Sequence, residues 1–224
     1  MPLDEAELRV RACGWLKSHY SRRKYLLPPL VFHNLSMTIT QYLYRNFKGK
    51  ELTRIPHHGE LEIRPDIIAI NIFPNDKQPI LTWMIGECKS DKVSIGDFGQ
   101  AIRYANRAEA YEAYLFYDGY LSRDVKTSIR SGGHLYSGIN RWGKPVQKML
   151  ILMKYEKQQG NRLGEFEVAY KAHNMTDKWS HAYGILRQNN ATITNRYHGP
   201  DYAYSYGLYG NAKIYRQKLK RDQA

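Results

Sequence analysis

Two apolar runs, Ile67 to Ile72 and Ile80 to Gly86, flank Phe73-Pro74-Asn75-Asp76-Lys77-Gln78-Pro79, a segment dense in turn formers. That pattern predicts the two antiparallel strands of one hairpin. Upstream, Asp4 to Tyr20 reads as an amphipathic helix with Leu8, Ala12, Trp15, Leu16 and His19 on one stripe. A second helix is predicted over Leu35 to Phe47, where Ile39, Tyr42, Leu43 and Phe47 recur at helical spacing and Gly49 ends the run. Leu52 to Ile63, broken by Pro56 and Gly59, reads as a strand or irregular hairpin leading into the first apolar strand. Downstream, Ser94-Ile95-Gly96-Asp97 is a stop that carries an N-cap, followed by a helix from Phe98 to Tyr111. Ala113 to Tyr117 is a short core strand closing at Asp118-Gly119, and Ser122 to Ser131 is a helix ended by Gly132-Gly133. Val146 to Tyr155 reads as a last long strand, its Met149 to Met153 centre apolar on both faces.

The polar residues at the ends of the central hairpin change the picture. Asp66 precedes its first strand and Glu87-Cys88-Lys89 ends its second. Folding the hairpin brings Asp66 back beside Glu87, and strand alternation puts Glu87 and Lys89 on one face with Cys88 on the other. Hard divalent cations such as Mg²⁺ prefer carboxylate oxygen and sit on one or two carboxylates plus waters and phosphate oxygens. Asp66 and Glu87 would supply those carboxylates. Lys89 would orient a water or stabilise charge building on a phosphorus oxygen. On the following helix Gln100 and Tyr104 are four apart and share one face.

Pro65-Asp66 followed after a hairpin by Glu87-Cys88-Lys89 resembles the PD-(D/E)XK signature of the restriction-endonuclease-like nucleases. Gln100 and Tyr104 resemble the QxxxY motif of the branch that includes the RecB-like nucleases. The resemblance covers about Met1 to Tyr155. It implies an α/β fold with a restriction-endonuclease-like core, a central mixed β-sheet flanked by helices in the order αβββαβ. It also implies a Mg²⁺- or Mn²⁺-dependent nuclease acting on DNA, with Asp66 and Glu87 as metal ligands, Lys89 as catalytic cation, and Gln100 and Tyr104 helping to hold the nucleic acid. The family tends to place an acidic residue of the first helix near the metals, and Glu7 is the candidate ligand here. Equally open for Glu7 are a capping box over Asp4-Glu5-Ala6-Glu7 and a pair with Arg11, alongside a Glu5–Arg9 pair.

Composition narrows the partners. The 224 residues suit a single domain with an elaboration: a nuclease-like domain over 1–175 and a basic, Tyr/Gly-rich extension over 176–224. A net charge of +13 implies a polyanionic partner, and with this motif DNA is the choice. From Lys144 onward 14 Lys and Arg stand against 6 Asp and Glu, so the end of the chain holds most of that excess. Seven tyrosines fall between Tyr183 and Tyr215, a composition that suits base stacking, an oligomer interface or a solvated tail. Cys13 and Cys88 alone provide neither a disulfide framework nor a zinc or four-cysteine iron–sulfur site. No apolar run is long enough to span a membrane, and the acidic start lacks a secretory pattern, so the expectation is a soluble, cytoplasmic protein. Gly132-Gly133 lacks the spacing of a nucleotide-phosphate loop. His57-His58, adjacent on extended chain, would face opposite ways and read as surface or DNA-facing rather than as ligands of one ion.

Two further functions remain. A structure-selective endonuclease similar to archaeal Holliday junction resolvases would need a two-fold homodimer presenting two sites. A non-catalytic nucleic-acid-binding protein of this fold would need no carboxylates near phosphates, and Asp66, Glu87 and Lys89 speak against it.

Overall fold

A computed structural model describes residues 3–21, 30–33, 37–49, 52–55, 57–73, 80–131, 133–139, 144–156 and 165–168. Its helices are α1 (Glu5–Ser21), α2 (Ile39–Asn46), α3 (Ile95–Arg107) and α4 (Arg123–Arg130). Its strands are β1 (Leu30–His33), β2 (Ile67–Phe73), β3 (Ile80–Lys89), β4 (Glu112–Tyr117), β5 (Leu135–Ile139), β6 (Pro145–Met149), β7 (Ile151–Glu156) and β8 (Glu165–Val168). The architecture is α/β. A six-stranded mixed sheet runs β1-β2-β3-β4-β7-β8, and β5 and β6 form a separate antiparallel pair. β1, β2 and β3 are an antiparallel meander, β3–β4 and β4–β7 are parallel, and β8 returns antiparallel to β7.

Strand alternation divides the apolar residues between two cores. Ile67, Ala69, Met84 and Cys88 pack with Leu8, Ala12 and Leu16 of α1. Ile68, Ile70, Trp83 and Ile85 face the other way and pack with Leu43 of α2, Ala101 and Ala105 of α3, and Val125 and Ile129 of α4. The sheet is therefore a middle layer, and β2 and β3 are apolar on both faces because both are covered. Each fully buried Leu or Ile contributes about 1.5–3 kcal/mol, so the α1 stripe is what fastens that helix across the sheet.

Local capping moves several boundaries. Ser94 accepts from the Asp97 N–H at 3.2 Å while Asp97 Oδ2 accepts from the Ser94 N–H at 2.9 Å, so α3 begins at Ile95, three residues before the expected Phe98. It ends at Arg107 rather than Tyr111, because Glu109 turns into the left-handed region at φ 46° and the Tyr111 N–H is taken by the Trp83 carbonyl at 2.8 Å. Thr38 and Gln41 make the same reciprocal box, so α2 begins at Ile39 rather than Leu35. Ser122 caps α4.

Other expectations are corrected outright. Leu52 to Ile63 is not a strand: it holds a 3₁₀ turn (Leu52–Arg54) and a further turn over 57–60, after which the Leu61 and Ile63 carbonyls accept from the Thr40 and Ile39 amides at 3.1 Å. Its backbone thereby serves the first turn of α2 instead of a ladder. The first sheet strand is β1, which the apolar pattern did not single out. Val146 to Tyr155 is two strands, β6 and β7, parted at Leu150, whose N–H donates to the His134 carbonyl at 2.8 Å. No helix among the described residues is long and apolar enough to cross a membrane. The turn at 74–79, Gly132, the His19 side chain and the whole extension over 176–224 lie outside the described residues.

Candidate functional site

The hairpin register places the central carboxylates together. Ile67 pairs with Gly86, so Asp66, one residue before β2, stands across from Glu87 near the end of β3. Asp66 Oδ2 accepts from the Cys88 N–H at 2.8 Å, which ties the carboxylate to the strand that carries Glu87. Glu87 is 2% exposed. Burial first, then the Asp66 charge, pushes its carboxyl well above the ordinary range, with Lys89 opposing.

As the alternation requires, Glu87 lies on the face toward α3, and Cys88 is buried on the α1 face. Gln100 Nε2 lies 3.4 Å from Glu87 Oε2 and 3.3 Å from the Tyr104 hydroxyl, so the i, i+4 pair does stand over the carboxylate. Lys89 Nζ, half-buried at the strand end, is 3.9 Å from Glu5 and 4.0 Å from Asp97. Asp66, Glu87, Lys89, Gln100 and Tyr104 thus converge at one end of β3.

Glu7 does not join them. Its carboxylate pairs with Arg11, with Nε at 3.0 Å, and Arg11 continues to the Tyr155 hydroxyl at 2.9 Å. Two residues apart on a helix means roughly 200° apart around it, so when Glu5 faces the site Glu7 cannot. The acidic residue of α1 at the site is Glu5. Arg9, one turn on, reaches Asp66 Oδ1 at 3.0 Å and Glu5 Oε1 at 3.5 Å. Sequence reasoning misses both at the site. Their one signal is the i, i+4 spacing of Glu5 and Arg9, which reads equally as an ordinary surface pair. His57 sits between Glu60 at 3.6 Å and Glu109 at 3.2 Å, and His58 Nδ1 is 3.2 Å from the Ile55 carbonyl oxygen, so the two rings are separately engaged.

Among the described residues no group of three or more His, Cys, Asp or Glu side chains could hold a metal ion. Two carboxylates nevertheless suit a cation that keeps waters and takes its remaining oxygens from a phosphate. Among the described residues Glu87 Oε1 is buried and has no hydrogen-bond partner, so the donor set leaves an oxygen that a cation could take. The donor set fits Mg²⁺ or Mn²⁺ and does not fit a soft metal. No family model, curated protein or solved structure matches this chain.

Proposed function

We propose that this protein is a Mg²⁺- or Mn²⁺-dependent nuclease of the PD-(D/E)XK type that hydrolyses phosphodiester bonds in DNA. The observation that carries the reading is the Asp66–Glu87 carboxyl pair, closed by a 22-residue hairpin, with one Glu87 oxygen buried and unpartnered among the described residues. Read without α2, the order α1-β1-β2-β3-α3-β4 runs helix, strand, strand, strand, helix, strand, which also supports a restriction-endonuclease-like core. Asp66 and Glu87 would hold the cation, which when bound supplies a nucleophilic water near neutral pH and offsets phosphate charge. Lys89, on the rim beside them, is positioned to stabilise charge on the phosphorus oxygens. Gln100 orients Glu87 through its amide, and Tyr104 fixes Gln100 in turn. The test is incubation with labelled linear, circular single-stranded, supercoiled and four-way-junction DNA in Mg²⁺, Mn²⁺ or chelator. Metal-dependent cutting lost in Asp66→Asn and Glu87→Gln supports the reading, and undiminished cutting by either variant defeats it.

One observation favours a second reading. The Arg9 guanidinium already neutralises Asp66, as it would in a protein of this fold that binds nucleic acid without cutting it. Absence of cleavage in any metal, with binding retained, would select that reading.

A further inference from the structure

Beyond Lys89 the parallel pair β3–β4 is prolonged by a bridge between Val93 and Leu121. The Val93 N–H donates to the Tyr120 carbonyl at 2.9 Å and the Ser122 N–H to the Val93 carbonyl at 3.0 Å. The two loops that follow these strands are thereby zipped together. A Cβ on Gly119 would lie 2.3 Å from the Asp91 carbonyl oxygen, so only glycine permits the approach. Between the loops and α4 opens a cleft of about 520 Å³.

Four cations line the cleft: Lys92 from the first loop and Arg123, Lys126 and Arg130 from α4. Among the described residues no carboxylate lines it. None of the four forms an ion pair with a described residue, whereas Arg9 and Lys89 in the carboxylate site both do. Arg123, Lys126 and Arg130 recur at i, i+3 and i+7, one stripe flanking the face of the buried Val125 and Ile129. That stripe is about 10 Å long, the rise of roughly three stacked nucleotides at about 3.4 Å each. Tyr120, 54% exposed, stands on the wall. Lys92 is three residues past Lys89, at most about 10 Å of extended chain from it; Lys89 ends β3 and Lys92 lies beyond it, at the carboxyl ends of parallel strands, where α/β sheets bind ligands.

We propose that this cleft is a nucleic-acid strand-binding groove, in which Lys92, Arg123, Lys126 and Arg130 hold consecutive phosphates and Tyr120 stacks on a base. It rests on the nuclease reading only for the identity of what is cut, and it names where the strand leading away from the scissile bond is held. A row of cations without an ion-pair partner among the described residues, beside an aromatic, suits a phosphodiester backbone with its bases exposed.

The test measures binding of fluorescent 20-nucleotide single-stranded and duplex DNA to the full chain in chelator, so that cutting plays no part. Arg123→Ala/Lys126→Ala/Arg130→Ala should reduce the log–log salt slope by about 2–2.7, at about 0.7–0.9 for each phosphate no longer held. A control removing three exposed cations elsewhere, Lys17→Ala/Arg45→Ala/Lys48→Ala, should move it less. Tyr120→Ala should weaken single-strand binding about tenfold and leave the duplex unaffected. If the triple variant unfolds early, Lys126→Gln/Arg130→Gln reads the same slope with two charges removed. Equal slopes for cleft and control variants would overturn the groove, as would a Tyr120→Ala protein that binds single strands normally overturn the stacking. A wild-type protein that cuts DNA with an unaltered cleft-variant slope defeats the groove alone; a lowered slope without cutting in any metal defeats the nuclease alone.

Discussion

Arg9 Nη2 stands 3.0 Å from Asp66 Oδ1, so the carboxylate at the head of β2 is neutralised by a cation carried on α1. A divalent ion bound there would share Asp66 with that guanidinium. Arg9→Ala should therefore lower the melting temperature in chelator, since breaking a partly buried pair costs about 1–3 kcal/mol. Added Mn²⁺ should then raise it more than in the parent protein, because the ion replaces a missing charge. Thermal melts with and without Mn²⁺ check both; an equal metal response in the two proteins would separate Arg9 from the metal site.

Glu87 predicts a pH signature in stability. Its carboxyl is raised by burial and by Asp66, from 4.5 to about 8, so the folded chain keeps a proton that the unfolded chain gives up. Stability from this group is full below about pH 4.5 and is lost as pH climbs toward 8. Glu87→Gln does not titrate. In chelator it should gain on the parent protein progressively across that window while losing cleavage, as urea midpoints at several pH values would record.

Lys89→Ala should lower turnover by about 10²–10³ with little change in DNA affinity, the usual effect of removing one transition-state interaction. Single-turnover rates and binding isotherms separate the two. A defect confined to binding would make Lys89 a phosphate clamp.

A second titration lies far from the carboxylates. His134 is fully buried and burial pushes its imidazole down from 6.5 to about 4, against a backbone hydrogen bond involving Ile129 that raises it. Its contribution is complete above pH 6.5 and is lost as pH falls toward 4, up to about 3 kcal/mol in all. His134→Leu should flatten the acid limb of the stability profile, as seen by denaturant titration between these limits.

The hairpin and its polar ends were legible because turn formers and strand alternation are short-range signals: Asp66, Glu87, Lys89, Gln100 and Tyr104 all fall together as their spacing implies. Choosing between Glu5 and Glu7 required the rotation of α1 against the sheet. The Leu8, Ala12 and Leu16 stripe sets that rotation, yet β1 and β3 decide which edge of the stripe overlooks the site. Leu150 carried no break signal, since apolar residues continue on both sides of it. Only the partners differ, β5 for β6 and β4 for β7, and pairing at that range is invisible to a local pattern. The cationic stripe of α4 was on view as a helix but not as a surface, because its meaning depends on Gly119 letting two loops close.

Cys88 gives the protein an internal clock for its own opening. It is 0% exposed, burial raises its thiol far above the normal range, and it is back to back with Glu87 on one strand. Thiol reagents can reach it only when β3 parts from α1, so its rate of alkylation times that event. Against a Cys13→Ala background, a DNA strand seated over β3 should slow the reaction, and a ligand seated elsewhere should not. A single mass measurement would then report occupancy over β3 without any cleavage being seen.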